Sequence, residues 1–132
     1  MFTAMHERNP FLVYCGPAIG YGALIFGMSS LPGSAIRLYP FPYFDKLLHV
    51  LEFGLLGIFL YRAFRLYRPL RNPYLLSLAA GIPYGALDEI HQLFVPGRQC
   101  DIADFAADVL GIALFAALSS HQHRKDSQNI TR

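Results

Sequence analysis

Residues 84–111, YGALDEIHQLFVPGRQCDIADFAADVLG, join the end of one apolar segment to the start of another through a Pro96-Gly97 turn. Ionisable side chains are concentrated on both sides of this turn, in a chain that is otherwise mostly apolar: Asp88, Glu89, His91, Arg98, Asp101, Asp104 and Asp108. Charged groups inside membrane-length apolar segments are energetically costly and therefore indicate a site with partners. We expect the functional site to lie in this stretch.

The composition around this stretch is that of a membrane protein. Of the 132 residues, 54% are hydrophobic and only 15% are charged, whereas about a quarter of the residues in a soluble domain are charged. Helices satisfy their own backbone groups in lipid, and about 20 apolar residues cross the hydrocarbon core. Four apolar segments have roughly this length: residues 11–29, 45–63, 74–95 and 102–120. The sequence predicts an all-α fold, an integral membrane four-helix bundle with four transmembrane helices.

Two other interpretations of these segments fit less well. A soluble bundle would need a polar outer face on every helix, and residues 11–29 have none. A cleavable signal peptide has an apolar core of about 7–15 residues, which is shorter than this first segment. We expect a single transmembrane domain over residues 1–120 and a loose polar tail over residues 121–132.

Charge asymmetry predicts the orientation of the bundle. Short loops rich in Lys and Arg stay in the cytoplasm, and the loop between the second and third segments carries Arg62, Arg65, Arg68 and Arg71 without an acid. Both termini and the polar tail are then cytoplasmic, and the Pro96-Gly97 turn faces the opposite side. Seven of the nine Asp and Glu residues fall in the half of the bundle on that side: Asp45, Glu52, Asp88, Glu89, Asp101, Asp104 and Asp108.

The two cysteines fit this topology as unpaired thiols. Cys15 falls in the inner half of the first segment and Cys100 in the outer turn. They are too far apart for a disulfide, which needs Cα atoms within about 7 Å. We expect Cys100 to be a free surface thiol.

Helical spacing brings the polar groups onto defined faces. At about 100° per residue, each of the second and fourth segments carries its acids on one stripe, whereas the polar groups of the third cover a broad arc. The stripe on the second segment comprises Asp45, His49 and Glu52, and the stripe on the fourth comprises Asp101, Asp104, Asp108 and Gly111. The arc on the third segment comprises Asp88, Glu89, His91 and Gln92. We expect the third helix to lie at the centre of the site, and Gly85 and Gly111 to allow close helix approach.

Crowded carboxylates beside an imidazole favour general acid–base chemistry, because they cannot all ionise in a poorly hydrated part of the bundle. Glu89 and Asp104 would act as acid or base or as ion ligands, with His49 as their proton partner. Asp45 would orient these groups. The candidate catalytic residues are Asp45, His49, Glu89 and Asp104.

A divalent metal ion is a second interpretation of the same side chains. Oxygen-rich ligand sets favour Mg²⁺ or Ca²⁺, and added imidazole favours Zn²⁺ or Mn²⁺. No fixed signature such as HExxH is present. The candidate ligands are Glu52, Asp88, Glu89, His91, Asp104 and Asp108.

An anion-binding site is a third interpretation. Arg98 comes just before the predicted start of the fourth helix, and a guanidinium beside a helix N-terminus suits phosphate or carboxylate. The candidate substrate-binding residues are Lys46, Arg98, Gln92 and Asp88. A purely structural role stays open, in which Lys46 and Arg98 pair with nearby acids and the rest form hydrogen bonds between helices. Ion translocation would need polar inner halves, which the four segments lack.

The spacing of these residues resembles that of the VanZ-like family of bacterial integral membrane proteins. The matching motifs are Asp45-Lys46-x-x-His49, Tyr84-Gly85-x-x-Asp88-Glu89-x-x-Gln92, Phe94-x-Pro96-Gly97-Arg98, Asp104-x-x-x-Asp108 and Gly111, and Ser29-Ser30 is similar to a short Ser-containing motif of the family. Many relatives have Asn at the position of Asp108 and Tyr at that of Phe53. The resemblance implies a multi-pass protein of the bacterial cell envelope, and with the charge asymmetry we expect it in the cytoplasmic membrane with the polar site on the extracytoplasmic side.

Composition and resemblance together predict a protein that binds or acts on an anionic cell-envelope or lipid-linked substrate. The alternative is a non-catalytic membrane accessory protein whose polar residues are structural or recognise an envelope component. We expect the lipid bilayer as a partner, no nucleic acid, and a divalent metal as the candidate cofactor.

Overall fold

The computed structural model describes residues 9–35, 42–67 and 72–130. Within these ranges the chain forms four α-helices and no strand, which confirms the all-α, four-helix prediction. A short 3-10 turn, Gly33–Ala35, follows the first helix. The α-helices are α1 (Pro10–Ser29), α2 (Phe44–Tyr67), α3 (Pro73–Gln92) and α4 (Ile102–Ile130).

Asparagine–proline pairs begin two of the helices. The side chain of Asn9 accepts a hydrogen bond from the backbone N–H of Phe11 at 3.0 Å, and that of Asn72 accepts one from Leu75 at 3.1 Å. Each asparagine precedes a proline at the first helical position, where the N–H that proline lacks would have no partner. These two pairs set the starts of α1 and α3.

Three of the described helices, α1, α2 and α4, are long and apolar enough to cross a membrane. On α1, the large apolar side chains of Ile19, Leu24 and Phe26 are each at least half exposed. Such a surface suits lipid rather than water. The absence of a polar face on residues 11–29 is therefore matched by apolar side chains that face outward.

Helix α3 is not among these three helices, although its 20 residues would extend about 30 Å. Its last turns carry Asp88, Glu89 and Gln92, which are all buried, and it packs against both α2 and α4. The predicted span over residues 74–95 is too long at its end, because residues 93–98 form successive turns around Pro96-Gly97. A membrane crossing by α3 stays a prediction.

The loose tail predicted for residues 121–132 is wrong where the structure describes it, because α4 continues without interruption to Ile130. No Gly or Pro occurs in residues 112–130, and one-turn contacts support the extension. Gln122 Nε2 donates to Asp126 Oδ1 at 3.2 Å, and Ser127 Oγ donates to the carbonyl of His123 at 3.0 Å. This part of α4 is polar, as predicted, and the side chains of residues 121–130 are exposed.

Helices α2 and α4 form the most extensive helix pair in the described part of the bundle. A Cβ atom added at Gly111 would lie 2.3 Å from the carbonyl oxygen of Val50 and 2.9 Å from the backbone nitrogen of Gly54. Two backbones therefore touch at this point, as predicted for Gly111. The contact brings the N-terminal turns of α2 and α4 together at one end of the bundle.

Candidate functional site

The polar side chains meet at the end of the bundle where α1 and α3 end and α2 and α4 begin; we call this the polar end. The polar cluster comprises Asp45, Lys46, His49, Glu52, Asp88, Glu89, Gln92, Arg98, Asp101, Asp104 and Asp108. Three helices and the turn after α3 bring these residues together, as helical spacing predicted. Their roles in function stay predictions.

Lys46 is the centre of an ion-pair network between α2 and α4. Its Nζ lies 2.6 Å from Asp101 Oδ2, 2.6 Å from Asp104 Oδ1 and 3.1 Å from Asp45 Oδ2. The hydrogen bond from Lys46 holds the pKa of Asp101 below its usual range. The ammonium group predicted to bind substrate is thus already surrounded by three carboxylates.

His49 connects two carboxylates that are one turn apart on α4. Its Nδ1 forms a hydrogen bond of 2.8 Å with Asp108 Oδ1, and its Nε2 lies 3.8 Å from Asp104 Oδ1. Asp108 has no exposed surface. Gly85 provides room for it, because a Cβ there would lie 3.3 Å from the Asp108 side chain. The imidazole is therefore fixed in the interior between α2 and α4.

The two acids at the end of α3 have different partners. Asp88 Oδ2 accepts hydrogen bonds from Ser29 Oγ at 2.9 Å and from Gln92 Nε2 at 3.2 Å. Glu89 Oε2 accepts one from the backbone N–H of Asp101 at 2.8 Å. Ser29 contacts the polar cluster through Asp88. The polar faces predicted for the second, third and fourth helices gave no indication of this contact. Its only signal was the Ser29-Ser30 pair at the end of the first segment.

Several buried carboxylate oxygens in the described chain lack a hydrogen-bond donor: Glu52 Oε1, Asp88 Oδ1, Glu89 Oε1 and Asp108 Oδ2. Asp104 Oδ1 also makes no geometrically good hydrogen bond, but the ammonium of Lys46 lies 2.6 Å away, so we count it as paired. A buried acceptor without a donor costs about 1–3 kcal/mol, and more if it is charged. The polar cluster therefore has more hydrogen-bond acceptors than donors. Its negative charge also exceeds the positive charge of its own basic groups.

His91 faces α1 rather than the centre of the polar cluster. Its ring stacks on Phe26 with centroids 4.3 Å apart, and its Nε2 lies 3.0 Å from Ser30 Oγ. Of the candidate ligands, Glu89 and Asp108 lie together, and the imidazole that joins them is His49, which was predicted as a proton partner; the ligand atoms of these three residues all lie within 4.8 Å of one another.

Arg98 lies in the turn just before α4, where the sequence predicted it, and its guanidinium lies against the C-terminal end of α1. Its Nε donates to the carbonyl of Leu31 at 3.3 Å, and its Nη2 donates to that of Met28 at 3.5 Å. Carbonyl groups at a helix end lack partners within the helix, which explains this position. The backbone N–H of Gly33 also donates to the carbonyl of Pro96 at 3.0 Å, so the turn that carries Arg98 is attached to α1.

One polar cavity, a smaller cavity with both polar and apolar lining, and one apolar groove adjoin the polar cluster. A cavity of about 320 Å³ is lined by Lys46, His49, Gln92, Arg98, Asp101 and Asp104, among others. A smaller cavity of about 140 Å³ shares His49, Gln92 and Arg98 and reaches Glu52. A groove of about 450 Å³ between α1, α2 and α3 is lined by Phe26, Leu56 and Tyr84 and almost entirely by apolar atoms.

The model of the VanZ/LLP1 family matches residues 11–121, a range that includes α2, α3, the whole polar cluster, nearly all of α1 and the first 20 residues of α4. No curated protein and no solved structure matches the chain.

Proposed function

The chain belongs to the VanZ/LLP1 family, and from this premise we propose that its polar cluster binds or acts on the anionic head group of a lipid-linked molecule of the cell envelope. The family and the three apolar helices make it a membrane protein. The proposal concerns the ligand, the side of the membrane and the roles of the residues.

The observation that carries the proposal is the succession of a polar cavity and an apolar groove along the same helices. On α2, His49 lines the polar cavity, and Leu56, two turns later, lines the groove. The smaller cavity lies between them: it is lined by Glu52 on α2 and by Met28 on α1, and Phe26 on α1 lines the groove. An amphiphilic molecule with a polar head and a hydrocarbon chain matches this arrangement better than a wholly polar ligand does.

Arg98 supports an anionic head group. A guanidinium has five N–H donors in a planar fork that suits phosphate or carboxylate. Two of these donate to backbone carbonyls at the end of α1, which holds the group in position beside the cavity of about 320 Å³. Lys46 would neutralise the acids of the cluster rather than contact the ligand, because three carboxylates already surround it.

The acids and the imidazole would supply proton transfer. Glu89 has one oxygen fixed by the backbone of Asp101 and a second oxygen, Oε1, without a donor. His49 lies between Asp104 and Asp108. Glu89 and Asp104 are the proposed acid and base or ion ligands, with His49 as their proton partner, and Asp45 and Gln92 orient the neighbouring groups.

We place the polar end on the extracytoplasmic side of the bacterial cytoplasmic membrane. Arg62 and Arg65 lie near the end of α2, and Arg124 and Lys125 lie near the end of α4. Both groups are therefore at the end of the bundle opposite the polar cluster. Segments rich in Lys and Arg stay on the cytoplasmic side of the membrane, which favours this orientation.

Cys100 tests the orientation. It is exposed in the turn before α4, whereas Cys15 is half-buried on α1. In a Cys15→Ser background, we expect a membrane-impermeant maleimide to label Cys100 in intact spheroplasts nearly to completion. Labelling that occurs only after the membrane is permeabilised would reverse the proposed orientation.

Replacing Arg98 tests the ligand. We expect the purified protein to bind a long-chain polyprenyl phosphate at least about tenfold more tightly than the matched polyprenol, since a hydrogen bond to a charged group contributes about 1.5–3 kcal/mol. Arg98→Gln should abolish this preference, and Arg98→Lys should keep part of it. Native mass spectrometry of the protein released from detergent measures both affinities.

Arg124→Gln is the matched control, because it removes the same charge from an exposed position at the opposite end of α4. It should leave the preference unchanged. Equal binding of the phosphate and the alcohol by the wild-type protein, or an unchanged preference in Arg98→Gln, would reject the proposed ligand.

A non-catalytic accessory protein is the second candidate. The triple ion pair of Lys46 favours it, because these contacts join α2 to α4 as interhelical contacts would in a purely structural cluster. The binding experiment separates the two candidates. An enzyme would return the bound lipid with a changed mass, whereas an accessory protein would return it unaltered.

A further inference from the structure

We propose that His49, Glu89 and Asp108 together bind one divalent transition-metal ion between α2, α3 and α4. The inference goes beyond the proposed lipid ligand and does not rest on it, because metal binding can be measured with the ion alone. Each of the three helices contributes one ligand. The site therefore exists only in the packed bundle.

The geometry of the three side chains is close to that of a metal site. Their ligand atoms all lie within 4.8 Å of one another. Ligands about 2.0–2.2 Å from a tetrahedral Zn²⁺ are roughly 3.4 Å apart. The ligand atoms would therefore have to move closer by up to about 1.4 Å when the ion binds.

The carboxylate oxygens of this group supply an independent indication of a cation. Glu89 is 3% exposed and Asp108 is fully buried, yet Glu89 Oε1 and Asp108 Oδ2 have no donor in the described chain. The other oxygen of Glu89 accepts the N–H of Asp101 at 2.8 Å. This is the kind of outer contact that orients a metal-binding carboxylate.

The charge balance around the group also favours a cation. Lys46 neutralises the acids nearest to it, Asp101 and Asp104. Asp88, Glu89 and Asp108 are each at least 97% buried, and the neighbouring basic groups are His49 and the guanidinium of Arg98. Bringing several uncompensated carboxylates into a poorly hydrated site is costly. A divalent ion would offset two of these charges.

The ligand types indicate which ions would bind. One imidazole and two carboxylates favour Zn²⁺ or Mn²⁺ over Ca²⁺ and Mg²⁺, which prefer ligand sets made only of oxygen. Three protein ligands leave at least one coordination position open, as in catalytic rather than structural zinc sites. His49 also lines the cavity of about 320 Å³, so this position would be accessible from the cavity.

Metal titration of the full-length protein in detergent tests the site. Protein purified without chelator should contain about one Zn or Mn per chain by elemental mass spectrometry. After removal of the ion with chelator, adding Zn²⁺ or Mn²⁺ should restore this stoichiometry and raise the melting temperature. His49→Gln, Glu89→Gln and Asp108→Asn should each raise the dissociation constant by at least about 100-fold, since even the loss of an outer contact costs 10–100-fold.

Two variants serve as controls. Asp126→Asn removes a carboxylate, and Arg124→Gln removes a basic charge, from exposed positions at the opposite end of α4; both should bind the ion with unchanged affinity. If a ligand variant does not fold, the visible spectrum of the Co²⁺-loaded wild-type protein decides, because four-coordinate Co²⁺ at a tetrahedral site gives intense d–d bands, whereas hydrated six-coordinate Co²⁺ gives weak ones. The proposal fails if the wild-type protein neither retains nor binds an ion, if the Co²⁺ bands are absent, or if the three ligand variants bind normally.

Discussion

Gly111→Ala should destabilise the bundle by about 3 kcal/mol, at the upper end of the range for overpacked cores. The added methyl group would lie 2.3 Å from the carbonyl oxygen of Val50 and 2.9 Å from the nitrogen of Gly54. Both are backbone atoms and cannot rotate away, so α2 and α4 would have to separate. Unfolding of the detergent-solubilised protein by heat or by SDS, followed by circular dichroism, measures the loss.

Gly20→Ala provides the matched control within the same protein. A Cβ at Gly20 would meet no atom within 4 Å, and alanine stabilises a helix by about 0.5–1 kcal/mol relative to glycine. This variant should be as stable as the wild type or slightly more stable. If both variants unfolded at the same temperature, the close contact between α2 and α4 would be incorrect.

Lys46→Gln should destabilise the protein by about 2–3 kcal/mol, because it leaves Asp104 without its cation. The side chains of Lys46 and Asp104 are 23% and 12% exposed. The loss should therefore be smaller than the 3–5 kcal/mol expected for a fully buried pair. A parallel Lys125→Gln variant, which removes an exposed lysine from the end of α4, should change the stability by no more than about 0.5 kcal/mol.

A double-mutant cycle identifies the cause of this loss. Asp104→Asn should restore at least half of the stability when it is added to Lys46→Gln, because the uncompensated carboxylate is then absent. Additive losses in the double variant would mean that Lys46 and Asp104 do not interact.

The pH dependence of the wild-type protein gives a further check on the same network. Lys46 holds the pKa of Asp101 below its usual range. The contribution of Asp101 to stability should therefore be complete above about pH 5 and lost as the pH falls through the folded-state pKa. Lys46→Gln should remove this contribution.

Much of the architecture could be predicted because it depends on local rules. Apolar runs of membrane length identified the four helices, and a spacing of 100° per residue brought Asp104 and Asp108 onto one face. The clearest error concerned the residues after 120, which were predicted to be loose because they are polar. Polarity decides whether a helix enters lipid, but it does not end a helix, and α4 continues to Ile130.

The partners of individual side chains could not be predicted in the same way. Arg98 lies just before α4, as its place in the sequence predicts, but the partners of its guanidinium are at the end of α1, 67 and 70 residues earlier in the chain. His91 and Gln92 are adjacent in sequence, yet His91 faces α1 and Gln92 contacts Asp88. Helical periodicity gives the direction of each side chain only relative to its own axis. The rotation and distance between axes depend on packing.

Amino-acid order alone was sufficient for the helical class, the membrane character and the gathering of acids at one end, because hydrophobic length and helical period are properties of single segments. The selection of His49, Glu89 and Asp108 from a larger set of acids and imidazoles required the folded chain. Their proximity arises from the contact of α2 with α4 at Gly111 and from the room that Gly85 leaves for Asp108. These are contacts between segments, and no single segment contains them.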